Sequence, residues 1–342
     1  MEPVTHFFTG ACLARAGFNR KTALATATMT LAAEAPDLDV LSSFKGPVFG
    51  FAHHRGFTHS FLGLVLTSAV VVGIMYMIWL LRRRRTNIPD LPPRWGRLFL
   101  FAYTAGLSHI LLDFTNNYGV RPFWPFSERW YSWDVTFILE PPMLLFLIAG
   151  LLLPSIFFKQ KPGPRGRTAA TLALMCVVAL WAIRSYEANK IVRALERQRF
   201  NSETPLRASA YPYWTNAPRW LIAMRWSAVI ETSKSFITSD VNPSTGNLDA
   251  TSLITIPKPP ETVATLAAKK SYLGRVYLDW ARYPLVTETS EGQDSVVYFQ
   301  DLRFGYRGLR RPSLLAASVR LDGNLHVIGE SMGPRAQNPP LD

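Results

Sequence analysis

The sequence predicts a mainly α, membrane-embedded helical domain over residues 1–200, followed by a small β-rich (α+β) soluble domain over 201–342. Three observations lead there. Long apolar runs are confined to the part before position 186, and Lys and Arg gather in two short stretches between those runs. Beyond position 200, Pro, Thr, Val and Tyr rise in short segments broken by turn residues. With 48% hydrophobic and 13% aromatic residues, a disordered chain is excluded.

In chain order, residues 4–17 and 21–34 read as two Ala-rich helices joined by Gly17-Phe-Asn-Arg-Lys21, each too short to cross a bilayer comfortably. Folded as a hairpin, they bring His6 toward Asp37 and Asp39 at one end and gather Arg15, Arg20 and Lys21 at the other. Glu2 and His6 stand where a secretory signal would have a basic start and an unbroken apolar core, so no signal peptide is expected. Glu34-Ala-Pro-Asp-Leu-Asp39 then reads as a turn, with Asp37 pointing one way and Asp39 reinforcing it from behind.

The stretch Phe51-Ala-His-His-Arg-Gly-Phe-Thr-His-Ser60 concentrates imidazoles, an arginine and hydroxyls just before the longest apolar run, 61–81. Neutral His is the commonest transition-metal ligand, and polar groups at the mouth of a membrane helix are costly to keep without a function. Further apolar segments lie at 98–114, 136–158 and 168–186, against the ~20 residues a spanning helix needs. The segment 98–114 carries Ser108, His109 and Asp113. His and Asp at i and i+4 stand one above the other on a helix, the geometry by which two ligands grip one metal. The segment 136–158 contains Pro141-Pro142, which should start or kink its helix. Between them, 116–134 is dense in aromatics, as at a membrane interface or a pocket wall.

A net charge of +13 invites a nucleic-acid reading, but its distribution argues against one. Arg82 to Arg85, Arg94 and Arg97 face Asp90 alone, and Lys159, Lys161, Arg165 and Arg167 face no acid. That is the positive-inside pattern: it places 82–97 and 159–167 in the cytoplasm and names membrane lipids, with no nucleic acid, as partners. The opposite, non-cytoplasmic face then collects His54, His59, His109, Asp113, Asp134 and Glu140, joined by Asp37 and His6. This convergence predicts a metal site at one surface of a multi-pass, bacterial-type inner membrane protein. Cys12 and Cys176 lie far apart in apolar segments and give no disulfide framework. In the C-terminal part, Trp220–Val229, Arg275–Trp280, Val296–Phe304 and Leu314–Leu321 read as strands, with a turn at Asp322-Gly323-Asn324. That part has one histidine, His326, and no ligand cluster, so it is expected to cover the site, bind a partner or recognise substrate.

The set His6, Pro36-Asp37-Leu38-Asp39, His54-Arg55-Gly56-Phe57-Thr58-His59-Ser60 and Ser108-His109-Ile110-Leu111-Leu112-Asp113, followed by Asn117-Tyr118-Gly119 and Trp124-Pro125-Phe126, resembles the YdjM family of membrane-bound, metal-dependent hydrolases. It covers roughly residues 1–185. That family is thought to be distantly similar to the helical zinc-dependent phospholipase C and P1 nuclease group, whose zinc ions, held by His and Asp, serve the cleavage of phosphoester bonds. The resemblance implies His6, Asp37, His54, His59, His109 and Asp113 as ligands of a divalent metal, most simply Zn. It prefers His54 to His53 because the His-Arg-Gly-x-Thr-His-Ser pattern begins there. The chain departs from the phospholipase group in lacking a recognisable mature N-terminal amine ligand and a second His-x-x-x-Glu pair. The function so implied is hydrolysis of an ester or phosphoester, in a lipid or another amphiphile. Arg55 would steady the developing anion and Asp39, or Asp37, would hold or deprotonate the water. The competing expectation is a non-catalytic membrane scaffold or binding protein in which a structural metal or His–Asp network fixes helices.

Overall fold

The computed structural model describes residues 1–82, 91–158, 164–200, 202–215, 223–305, 315–333 and 336. It divides into two compact units: Met1–Leu41 with His53–Ser185, and Ser42–Ala52 with Tyr186–Asp342. Arginines 83–85 and lysines 159 and 161, on which the charge argument partly rests, lie outside the described residues, as do the first residues of the strands expected at 220 and 314.

In the first unit, α1 (Pro3–Arg15) opens on a proline, which lacks the N–H that a first helical residue leaves unpaired, and the Glu2 side chain accepts from Thr5 N at 2.9 Å. It packs against α2 (Ala25–Glu34) as the expected hairpin, so closely that a Cβ on Gly10 would stand 2.7 Å from the Met29 carbonyl oxygen and 2.8 Å from Ala33 Cβ. The Ala-rich sequence is therefore a close-packing sequence. Gly10→Val is expected to destabilise the protein by ~1–3 kcal/mol, the usual cost of overpacking. A thermal unfolding temperature equal to the parent's would show that the hairpin yields there. Two guanidinium groups meet the hairpin's turn, Arg167 Nε donating to the Ala16 carbonyl at 3.0 Å and Arg97 to Lys21 O at 3.2 Å, and the main-chain amide of Arg94 donates to Thr22 Oγ1 at 2.7 Å.

After α2 the chain does not turn once, as expected, but winds through a 3-10 stretch, Ala35–Lys45. Pro36 fixes the φ that such tight winding uses. Next come α3 (Pro47–His53), a 3-10 turn at Phe57–His59 and α4 (Phe61–Arg82), where the Ser60 hydroxyl accepts from Gly63 N at 2.9 Å. Then follow α5 (Trp95–Thr115), α6 (Pro141–Phe158) and α7 (Pro164–Glu196). Among the described residues, α4, α5 and α7 are long and apolar enough to cross a membrane, and α6 has a shorter apolar stretch, Pro141–Pro154. α6 begins at the Pro141-Pro142 pair rather than at 136, because Val135 N and Thr136 N donate to Thr115 O beside the end of α5, at 2.9 and 3.0 Å. Buried residues at the helix contacts are mostly small: Ala14, Ala33, Ala102 and Ala105 around Met29, Leu98 and Phe101.

The second unit carries two four-stranded antiparallel sheets, each in sequential order. The first is β1 (Arg207–Thr215), β2 (Ala223–Glu231), β3 (Ser235–Val241) and β4 (Ile254–Pro257); Trp226, Ile230 and Ile237 pack on Ile191 and Leu195 from the end of α7. Then come α8 (Val263–Lys270) and α9 (Tyr272–Trp280), followed by the second sheet: β5 (Pro284–Glu291), β6 (Asp294–Asp301), β7 (Ala317–Leu321) and β8 (Val327–Met332). The expected strand at 275–280 is thus a helix. Its buried Leu273, Tyr277 and Trp280 fall at spacings of four and three, and the Ser271 hydroxyl caps it by accepting from Gly274 N. Phe51 stacks on Tyr277 and meets Trp280 edge-on, with centroids 5.9 and 5.2 Å away, which is how Ser42–Ala52 joins this unit.

Candidate metal centre

Four side chains from three parts of the first unit converge. Asp37 comes from the 3-10 stretch, His59 from the turn before α4, and His109 and Asp113 from one face of α5; one ligand atom from each lies within 4.8 Å of all the others. His59 Nε2 stands 3.0 Å from His109 Nε2, 3.4 Å from Asp37 Oδ1 and 3.3 Å from Asp113 Oδ2. His109 Nε2 is 3.5 Å from Asp37 Oδ1 and 3.4 Å from Asp113 Oδ2. Ligands held ~2.0–2.1 Å from a tetrahedral zinc are themselves about 3.3–3.4 Å apart, so the five distances that involve an imidazole are of the size one zinc ion requires. Two further observations fit a cation. Asp113 Oδ2 is buried with no hydrogen-bond partner, and both imidazoles turn Nε2 inward while Nδ1 is engaged outside. His109 Nδ1 donates to the Ala33 carbonyl at 2.6 Å; His59 Nδ1 lies 3.3 Å from Asp39 Oδ2 and 3.1 Å from Thr58 Oγ1. Such outer partners fix the tautomer that presents a lone pair to a metal.

The remaining sequence-derived residues surround the four without joining them. His6 is fully buried and stacks on His109 with centroids 3.7 Å apart; its Nε2 is 3.5 Å from Asp113 Oδ1 and neither ring nitrogen has a hydrogen-bond partner. His54 stands one carboxylate away, its Nδ1 3.1 Å from Asp39 Oδ1. Asp39 Oδ2 accepts from Arg55 N at 2.7 Å, so Asp39 serves two histidines and a main-chain amide. Arg55 adopts a left-handed φ of 53°. Its guanidinium donates to Asp113 Oδ1 at 2.8 Å, to Asn116 Oδ1 at 3.2 Å and to Gly119 O at 2.9 Å, and lies 4.8 Å over the Tyr118 ring. Arg55 is buried and faces a carboxylate of the cluster, not an open surface. Asp134 and Glu140 are not in the cluster; Glu140 accepts from Phe137 N at 3.1 Å and pairs with Arg184 at 3.5 Å.

The buried Met1 amino group donates to Asp113 Oδ1, where the sequence reading recognised no N-terminal amine ligand, and further partners carry no signal in sequence reasoning: the Ala33 and Gly119 carbonyls and the Asn116 side chain. Only the Asn-Asn-Tyr-Gly run around position 117 could have flagged any of them.

The charges are interlocked. Burial alone would raise Asp37, but hydrogen bonds from His109 and His59 outweigh it and hold the carboxyl well below the usual range. Burial likewise opposes a charge on His59, yet the carboxylates of Asp113, Asp37 and Asp39 push it up to about 10. At neutral pH the metal-free site therefore carries a proton on His59 that an entering cation must displace. Metal binding is expected to release about one proton, and affinity to rise roughly tenfold per pH unit below that value. Calorimetry in two buffers of different ionisation enthalpy measures the release; identical heats would contradict it.

Among known proteins, the sequence model of the YdjM inner membrane protein family matches residues 1–191. A stretch of 134 residues is 28% identical to YfhP of Bacillus subtilis (strain 168), itself described as uncharacterized, and spans 38% of this chain and 37% of that relative. The shared part is thus little more than a third of the relative's length. No solved structure matches.

Proposed function

We propose that this chain, which belongs to the YdjM inner membrane protein family, is a metal-dependent hydrolase of ester or phosphoester bonds in a lipid or another amphiphile. What carries the reading is the donor set of Asp37, His59, His109 and Asp113. Structural zinc is held mainly by cysteine, whereas His with carboxylate is the donor chemistry of catalytic zinc. A divalent cation there would act as a Lewis acid toward water and toward the scissile ester or phosphoester. Asp39 keeps the His59 ring in register, and Arg55 orients Asp113 and balances its charge. His54, with 35% of its side chain exposed, is the histidine placed to meet substrate or move a proton.

One observation favours a second reading: the four side chains offer four ligand atoms, the number that fills a zinc site that only fixes helices. Metal content and turnover of detergent-purified protein separate the two. Hydrolysis of a phosphodiester or carboxylester model substrate that is lost with chelator and restored by Zn supports the enzyme. A bound metal that raises the unfolding temperature without turnover of either substrate gives the scaffold.

The site belongs, on this reading, to the non-cytoplasmic face of a multi-pass protein, with 82–97 and 159–167 in the cytoplasm; the contacts of the Arg97 and Arg167 guanidinium groups with the hairpin's turn support it. Single cysteines at Thr86 and at exposed Glu128 should react with an impermeant thiol reagent from opposite sides of the membrane. Reaction from the same side would reverse the assignment.

A further inference from the structure

The 3-10 stretch that supplies Asp37 and Asp39 has an aliphatic outer side. Leu38, Val40 and Leu41 are 59%, 62% and 56% exposed. Leu38 and Leu41 stand at the three-residue spacing that aligns side chains along one face of a 3-10 helix. The acidic neighbours turn the other way, Asp37 to His59 and His109, Asp39 to His54 and Arg55 N. No other charged residue lies between Glu34 and Lys45. An apolar patch of this kind is rare against water and marks a contact surface.

The depth of the patch follows from the cluster. Asp37 Oδ1 is 3.4 Å from His59 Nε2, and α4 begins two residues after His59. The segment is thus tied to the first turn of a membrane-length helix whose Phe61, Leu62, Val65 and Leu66 are exposed. At the same level Phe123 meets Phe61 and Trp124 meets Phe57, each with centroids 5.4 Å apart. Aromatic residues collect where hydrocarbon gives way to headgroups. Near the other flank of the cluster, α1 exposes Val4 and Phe7 beside His6. The patch is continuous in character with faces that lipid must cover.

We propose that residues 38–41 insert their aliphatic side into the hydrocarbon edge of the leaflet bordering the His/Asp cluster. The segment that holds one of its carboxylates, Asp37, is then a lip dipped in lipid, and a molecule passing that lip to reach Asp37 comes from the leaflet. The inference rests on the chain being a membrane protein and is independent of hydrolysis.

Spin labels on single cysteines at positions 38, 40 and 41 test it, in full-length protein reconstituted into phosphatidylcholine–phosphatidylglycerol vesicles. Cys176 is replaced by Ser, and buried Cys12 is left in place. Power saturation compares access by oxygen, which partitions into lipid, with access by a water-soluble nickel chelate. Labels at 38, 40 and 41 are expected to favour oxygen severalfold, as a label at Val65 does, while one at Glu128 favours nickel. Nickel access at 38–41 matching Glu128 would overturn the proposal. So would labels shielded from both reagents, since protein would then cover the patch. Absence of turnover leaves this outcome unaffected, so the lip and the hydrolase reading fail separately.

Discussion

In His59→Ala and in His109→Ala, metal content is expected to fall to background, while His326→Ala keeps the parent's stoichiometry. Each of the first two substitutions removes one of four donors, and the five distances that involve the two imidazoles are 3.0–3.5 Å. What remains is a pair of carboxylates and one imidazole, a set without the geometry that holds a borderline-soft cation. His326 lies in the second unit against Asp322, exposed and outside the His/Asp cluster, and serves as the control. Removing an outer partner should act more gently: Asp39→Asn loses the carboxylate behind His59 and is expected to weaken metal binding ~10–100-fold. Elemental analysis of folded, detergent-purified variants decides. Unchanged stoichiometry in both histidine variants would remove the centre altogether.

Arg55→Met is expected to destabilise the protein by about 3–5 kcal/mol, because it strips the guanidinium from a buried carboxylate and leaves Asp113 only the Met1 amino group and the histidines that face it. The loss should be partly recovered in Arg55→Met/Asp113→Asn, where the carboxylate that lost its guanidinium is gone as well; the double-mutant cycle isolates the pair. Arg55→Lys keeps the charge but not the fork, so it cannot meet Asp113, Asn116 and Gly119 O together and should fall between. Denaturant unfolding of these proteins and of Asp113→Asn alone, in detergent, gives the answer. An Arg55→Met variant as stable as the parent would mean that the guanidinium is an interfacial anchor.

How far the site was legible depended on whether its geometry is local. His109 and Asp113 share a helix face by spacing alone, and the sequence shows that directly. Asp37 meeting His59 is a tertiary event, approached in the sequence only through the sidedness argument and the motif resemblance. The direction of Arg55 was not legible, because a cation's type says nothing of which carboxylate it will meet once the backbone takes a left-handed turn. In the fold, α4 and α5 followed from apolar length, whereas α9 was misread because Tyr, Val and Trp suggest a strand. Its Leu273, Val276, Tyr277 and Trp280 carry the helical period all the same. Composition misled there and periodicity did not.

The partner of His109 outside the cluster is a main-chain oxygen, that of Ala33. A systematic mutational scan reads side chains only, so it is blind to this contact. Position 33 will register as intolerant of bulk, because Ala33 Cβ already abuts Gly10. That score will report the squeeze between α1 and α2 and say nothing of imidazole orientation. The same blindness applies at Gly119, whose carbonyl holds Arg55 while its φ of 88° alone explains why a side chain is unwelcome. Half of the scaffolding around these ligands is therefore genetically silent, and only replacing the amide itself, for instance with an ester linkage that weakens the carbonyl as an acceptor, would expose it.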